Sequence, residues 1–241
     1  MKFTKRFTIL NKKVFMKIKK KSAAWGLALF VFLYIASSYF ILYSMVHGTR
    51  VALNDSPKNY NLEYENITFS PRNSKLKLKG WYLPTNDKGS FSIIFVHGLH
   101  TNRVSNKYTL SFAKALHEKN FNVLLFDQRA QGESEGSLAS ASYYEKFDVL
   151  GAFDYLIKEK KVSPNEIGIF GSSMGGATAI QAASLEDKIK AVVVESPFAH
   201  AKELVAQETS LSTGLPKSIT IYFSFAVDLL AELIYGMDLD A

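Results

Sequence analysis

The sequence predicts an α/β domain built on a doubly wound, mostly parallel sheet, and three observations carry that prediction. Four short runs, Phe91-Val96, Val123-Phe126, Ile167-Phe170 and Ala191-Val194, are almost wholly apolar, as strands covered on both faces should be. Helix-length segments with one apolar stripe alternate with them. At Gly171-Ser172-Ser173-Met174-Gly175 an apolar run passes directly into a small-residue helical stretch, which is a strand, a sharp turn and a helix in succession.

Reading from the N-terminus, residues 1–22 hold nine Lys and Arg and no acid. Ala23 to Val46 follows as an uncharged stretch long enough to cross about 30 Å of hydrocarbon as a helix. Lys17, Lys19, Lys20 and Lys21 stand immediately before it, and only Arg50 and Lys58 lie close behind. The positive-inside bias therefore expects a single-pass anchor in the cell membrane, with a cytoplasmic N-terminus and an extracytoplasmic domain. A cleaved signal peptide is the rival, with Ala36-Ser37-Ser38 supplying small residues at a peptidase site, but the apolar stretch runs well past that site. Both readings export the domain. Residues 47–60, with Asn54, Asp55, Ser56, Pro57 and Asn59, read as a polar linker.

Residues 61–198 read as the core. Asn61-Thr68 and Leu76-Leu83 alternate apolar and polar residues around Pro71-Arg72-Asn73-Ser74, which predicts an antiparallel hairpin at a sheet edge. Helices are expected over Asn106-Lys119, Tyr144-Lys160 and Met174-Leu185. Residues 199–241 read as a partial cap: a polar stretch to Ser218, then Ile219-Tyr235 with Asp228 and Glu232 on one face and Phe223, Val227, Leu230 and Ile234 on another. An amphipathic helix over the site fits that pattern. A second membrane span is the alternative, but two carboxylates near its centre would each cost about 3 kcal/mol.

Composition excludes several classes. With 47% hydrophobic residues in 241, the chain is neither disordered nor fibrous. Its net charge of +7 belongs to the tail: without residues 1–22 the balance is 20 basic against 22 acidic residues, so the basic character is topogenic and no nucleic-acid partner is expected. Zero cysteines rule out disulfides, thiolate metal sites and a cysteine nucleophile. No metal or organic cofactor is implied.

The pentapeptide matters because a turn too tight for side chains at its flanks lifts the serine Oγ clear of the sheet. Alone it decides little, since about one chain in twelve of this length would carry G-x-S-x-G by accident at average composition. Its context adds two loops at the carboxyl ends of strands, where open parallel sheets bind ligands: His97-Gly98-Leu99-His100, and Asp127-Gln128-Arg129-Ala130-Gln131-Gly132-Glu133-Ser134. With Gly80-Trp81-Tyr82-Leu83-Pro84, Glu145, Asp148, Gly176 and Glu195-Ser196-Pro197-Phe198, these segments agree in order and spacing from about Asn61 to Phe198 with one pattern. The chain resembles the α/β-hydrolase superfamily, and within it the membrane-anchored bacterial serine esterases and aminopeptidase-like hydrolases. Ala130 departs from it, standing where the family usually has glycine.

The resemblance implies that Ser173 is the acylated nucleophile of an enzyme cleaving a small-molecule ester, thioester or amide, and that the N–H groups of Leu99 and Met174 form the oxyanion hole. His97 is implied to be loop structure, and Asp127 a turn former that holds the Arg129 loop. In this family the acid and then the histidine follow the nucleophile, after a seventh and an eighth strand. Only His200 of the five histidines follows Ser173, and it reads as the solvated start of a cap helix. Glu195, at the end of the sixth strand, is a substitute candidate for the acid. The reading therefore expects a C-terminally truncated chain lacking the last two strands, with a catalytically inactive homologue as the alternative to an active enzyme.

Overall fold

The computed structural model describes residues 2–85, 91–104 and 108–239, with side chains from Lys21 onward. The charges expected at Lys17, Lys19 and Lys20, the start of the helix expected at Asn106, and Asp240 and Ala241 lie outside the described side chains or residues. In chain order the elements are α1 (Lys2–Val46), β1 (Glu65–Phe69), β2 (Leu78–Leu83), β3 (Ser92–Val96), α2 (Thr109–His117), β4 (Asn122–Phe126) and α3 (Glu145–Lys158). They continue with β5 (Ile167–Ser172), α4 (Met174–Leu185), β6 (Ala191–Glu195), α5 (Ala201–Thr213) and α6 (Lys217–Tyr235). The strands form one sheet in the order β1-β2-β4-β3-β5-β6. β3, β4, β5 and β6 run parallel, and β1 and β2 pair antiparallel at one side. This is the doubly wound, mostly parallel α/β sheet that the apolar runs predict.

The pleat explains why those runs are apolar on consecutive residues. In β4, Leu124 and Phe126 meet Ile67, Val149, Phe153 and Ile169 on the α3 and α4 side. Val123 and Leu125 meet Trp81, Phe95, Leu110 and Ala113 on the α2 side. These four β4 side chains are fully buried, so a polar residue in place of one, at either parity, would be stranded without water. β6 is different. It ends the sheet, its residues alternate between exposed and half-buried, and Val193 is 62% exposed.

The structure departs from the sequence reading at three elements. The first hairpin strand begins at Glu65 rather than Asn61, because Asn61 takes φ 57° and closes a 3-10 turn over Pro57–Tyr60. Residues 47–60 are strapped to the domain: the Arg50 guanidinium donates to the carbonyls of Gln131, Gly132, Ser134 and Gly136, and Asn102 donates to those of Val51 and Ala52. The polar stretch after residue 199 contains the helix α5, which ends at Gly214 with φ 73°. Its buried residues include Ala201, Leu204 and Val205, packed with Leu42 and Val46 of α1 and Val227 and Ala231 of α6.

Ala130 tests the turn after β4. It adopts φ 59°, the left-handed region, while its N–H donates to Glu135 O at 2.9 Å. The turn keeps a glycine-like backbone with an alanine in it. A Cβ there costs roughly 1–2 kcal/mol, partly offset by the smaller entropy that alanine loses on folding. Ala130→Gly should raise unfolding stability by about 0.5–1 kcal/mol in urea denaturation.

Candidate active site

The turn that carries Ser173 is set by backbone contact. A Cβ on Gly175 would stand 2.1 Å from Val96 O, and one on Gly171 would stand 2.3 Å from Gly175 O. Only hydrogen fits at either position, which draws the end of β5, the start of α4 and the end of β3 together. Between them Ser173 takes φ 54° and ψ −124°, a strained conformation that costs of order 1–3 kcal/mol. Hydrogen bonds hold it there: Ser173 N–H donates to Glu195 O at 2.8 Å, and Gly176 N–H donates to Ser173 O at 2.9 Å. Ser173 is exposed, Met174 behind it is fully buried, and α4 points its N-terminal dipole at the turn.

The loop after β3 lies over this turn. A Cβ at Gly98 would be 3.8 Å from Ser173 Oγ, so the loop backbone passes just above the hydroxyl. Among the described residues, the N–H groups of Leu99 and Met174 and the Ser173 hydroxyl have no hydrogen-bond partner. The two amides implied for an oxyanion hole are thus unengaged.

His97 is committed to the loop. Its Nε2 accepts from Gln128 N–H at 3.0 Å, which makes Nδ1 the protonated nitrogen, donating to Gly98 O at 2.8 Å. Thr101 Oγ1 lies 3.0 Å from the same Nδ1. Burial lowers the His97 pKa, with the Arg103 charge adding to the effect and Asp127 opposing it. The ring is neutral and has no free nitrogen for Ser173.

Two buried ion pairs brace the neighbouring loops. Asp127 accepts from Arg103 N–H at 2.7 Å, from Arg103 Nη1 at 2.6 Å and from Glu133 N–H at 2.9 Å. Asp127 thus holds the Arg129 loop through the Glu133 N–H, as expected, and joins it to the loop after β3 through Arg103, while the Arg129 side chain itself is gripped by Asp148. The Arg129 Nε and Nη2 reach Asp148 Oδ1 at 2.9 and 2.6 Å, and Arg129 N–H reaches Asp148 Oδ2 at 2.8 Å. Burial pushes the Asp148 carboxyl up, to about 7, against the pull of the Arg129 charge. Buried Glu145 accepts from Ser140 and Ser142, and Ser142 donates to Met174 O at 3.3 Å, tying the segment before α3 to the first turn of α4.

Ser173 opens into a cavity of about 720 Å³. Phe95, Phe112 and Phe170 form its apolar wall, with ring centroids 5.1–5.5 Å apart. Leu204 and Glu208 of α5 close another side, and none of the lining residues comes from α6. The helix expected as a cap over the site is thus one layer away, because its apolar face is taken up by α1 and α5. The start of α5 at His200 is where the sequence places a cap helix; its extent goes unread there, the signal for it being Gly214 followed by Pro216, a helix stop.

Glu195 lines the cavity at the end of β6, where its Oε2 accepts from Ser172 Oγ at 3.2 Å. No histidine among the described residues hydrogen-bonds Ser173 or Glu195. His47 stacks on Tyr43, His100 meets Met45 O, His117 meets Pro84 O, and His200 is an exposed N-cap of α5.

A strand-turn-helix serine facing a cavity beneath a β3 loop is a family architecture, and the model of the alpha/beta hydrolase fold family matches residues 92–222. This chain belongs to that family. Among solved structures it is similar to the Pyrococcus furiosus esterase Pf2001, at 28% identity and a TM-score of 0.63, with 76% of this chain and 68% of that one covered. Among curated proteins it is similar to the uncharacterized protein YfhR of Escherichia coli K12, 30% identical over 141 residues, covering 56% of this chain and 48% of YfhR. It is also similar to the protein bem46 of Schizosaccharomyces pombe, 29% identical over 152 residues, covering 62% of this chain and 50% of bem46. The chain spans about half the length of these curated relatives.

Since the folded-state pKa of His97 is depressed, its contribution to stability is complete above the ordinary imidazole value of about 6.5 and is lost as pH falls through the folded-state value. As pH falls from 7 to 5, the wild type should lose urea stability relative to His97→Asn, the opposing contribution of the raised Asp148 carboxyl being common to both. Equal slopes would remove His97 as a contributor.

Proposed function

We propose that the chain is a serine hydrolase that cleaves a carboxylic ester, thioester or amide through an acyl-Ser173 intermediate. The observation that supports this best is the strained, exposed Ser173 beneath a loop that leaves the Leu99 N–H unengaged, with the Met174 N–H unengaged on the other side of the turn. Ser173 Oγ attacks the substrate carbonyl carbon and gives up its proton to a base, and the carbonyl oxygen takes the negative charge. Fixed N–H dipoles from Leu99 and Met174 stabilise that oxyanion, each contributing about 3 kcal/mol in a dry site. Collapse of the intermediate expels the alcohol, thiol or amine, and water releases the acyl group. The esterase similarity adds to this reading.

A second reading, a catalytically silent member that binds acyl ligands, rests on one observation. Among the described residues no base touches Ser173 Oγ, and without one a serine hydroxyl loses several orders of magnitude in rate. Glu195 is the candidate acid of the first reading, supported by its place in the same cavity.

For location, we favour a single-pass anchor with the domain outside the cytoplasm. Lys21–Val46 is long and apolar enough to span a membrane, with large side chains such as Trp25, Phe30 and Phe32 exposed along it. A signal sequence passes the same test.

A fluorophosphonate probe separates the two functional readings. Labelling of the full chain that disappears in Ser173→Ala supports the enzyme, whereas a folded protein that takes no label leaves the binding role. In the labelled case, Glu195→Gln should slow the reaction by about tenfold or more if Glu195 orients the base, and an unchanged rate would remove it from the mechanism.

A further inference from the structure

The helix α6 carries an unusual outer face. Ile219, Tyr222, Phe225, Leu229 and Leu233 recur every three or four residues and are 47–72% exposed, a stripe of large apolar side chains turned away from the protein. Its inner face is already occupied: Val227 and Ala231 pack with Leu42, Met45 and Val46 of α1 and with Leu204 and Val205 of α5.

The position of α6 says what covers the outer stripe. Tyr34 Oη donates to Tyr222 O at 2.6 Å, and the Tyr34 and Phe223 rings lie 5.5 Å apart. At the other end, the His47 and Tyr235 rings lie 6.0 Å apart. Thus α6 runs parallel to α1 from mid-span to its end, along thirteen residues or about 20 Å of helix. Over the same length α1 also leaves large apolar side chains outward, with Phe40 70% and Tyr39 44% exposed.

We propose that the outer face of α6 is immersed in the hydrocarbon of the bilayer beside α1. The inference rests on the reading of α1 as an anchor. The carboxylates that argue against a second span are arranged to permit this. Asp228 is paired with Lys202 at 3.5 Å, and Glu232 lies one turn from Tyr235, at the end where α1 leaves the membrane. Lys217, at the deep end, donates to Gln207 Oε1 at 3.0 Å, its long stem carrying the ammonium toward α5. Immersion also fixes where the cavity stands. His100 and Leu99 line it, His100 Nε2 lies 2.7 Å from Met45 O, and Leu99 packs into the cluster that joins α1, α5 and α6. The mouth of the Ser173 cavity is thereby held at the membrane surface.

The chain has no cysteine, so single-cysteine variants carry one probe each. Full-length Phe225→Cys and Leu229→Cys, labelled with bimane and reconstituted in phosphatidylcholine vesicles, should lose emission when the lipid is replaced by acyl-brominated phosphatidylcholine. The loss should match that of Phe32→Cys on α1, and Glu159→Cys, just past the end of α3, should be unchanged. Quenching at Phe32→Cys without quenching at either α6 position overturns the inference and leaves the anchor standing. No quenching at Phe32→Cys removes the anchor and the inference together. Neither result bears on acylation of Ser173.

Discussion

Everything around the cavity depends on three backbone segments approaching more closely than any side chain permits. The contacts of Gly171 with Gly175 and of Gly175 with Val96 bring β3, β5 and α4 to one point. Strain at Ser173 is the consequence of that convergence, and the hydrogen bond from its N–H to Glu195 O keeps the residue from relaxing. Because β6 supplies that carbonyl, four elements of the fold, β3, β5, α4 and β6, are committed to the orientation of one hydroxyl. The apolar sheet beneath them, with β4 buried on both faces, gives the rigidity that makes such a commitment affordable.

The loops above the sheet are held by charge instead. Asp127 with Arg103 and Asp148 with Arg129 are both buried, and each carboxylate takes backbone N–H groups as well as a guanidinium. Removing one partner of such a pair strands a charge at a cost of about 3–5 kcal/mol, so these residues specify the loop path even where they add little net stability. His97 completes the arrangement as a neutral ring with both nitrogens in use.

The strands and the turn at Ser173 are legible in the sequence because their physics is local. Burial on both faces forces continuous apolar runs, and a close-packed turn forces glycines at fixed offsets from a serine. Partnerships across the chain are not legible in that way. Arg129 meets Asp148 nineteen residues on, and Asp127 meets Arg103 twenty-four residues back, where several carboxylates and cations were equally available. Of the helix α5 only the start, at His200, is legible, for a related reason: alanines supply much of its buried surface, so its apolar stripe is too faint to stand out from the polar residues around it. The place of α6 against α1 depends on the surface that α5 completes, and so is hidden with it.

The wall of three phenylalanines couples ligand fit to the integrity of the sheet. Phe95 and Phe170 belong to central strands, and Phe95 is also part of the core cluster on the α2 side. Truncating a core phenylalanine typically costs about 3–5 kcal/mol, a large share of the 5–15 kcal/mol that holds a domain together. Room for a bulkier ligand is therefore hard to gain on that side. Divergence in ligand preference will find its latitude on α5, where Leu204 and Glu208 face the same space without belonging to any strand.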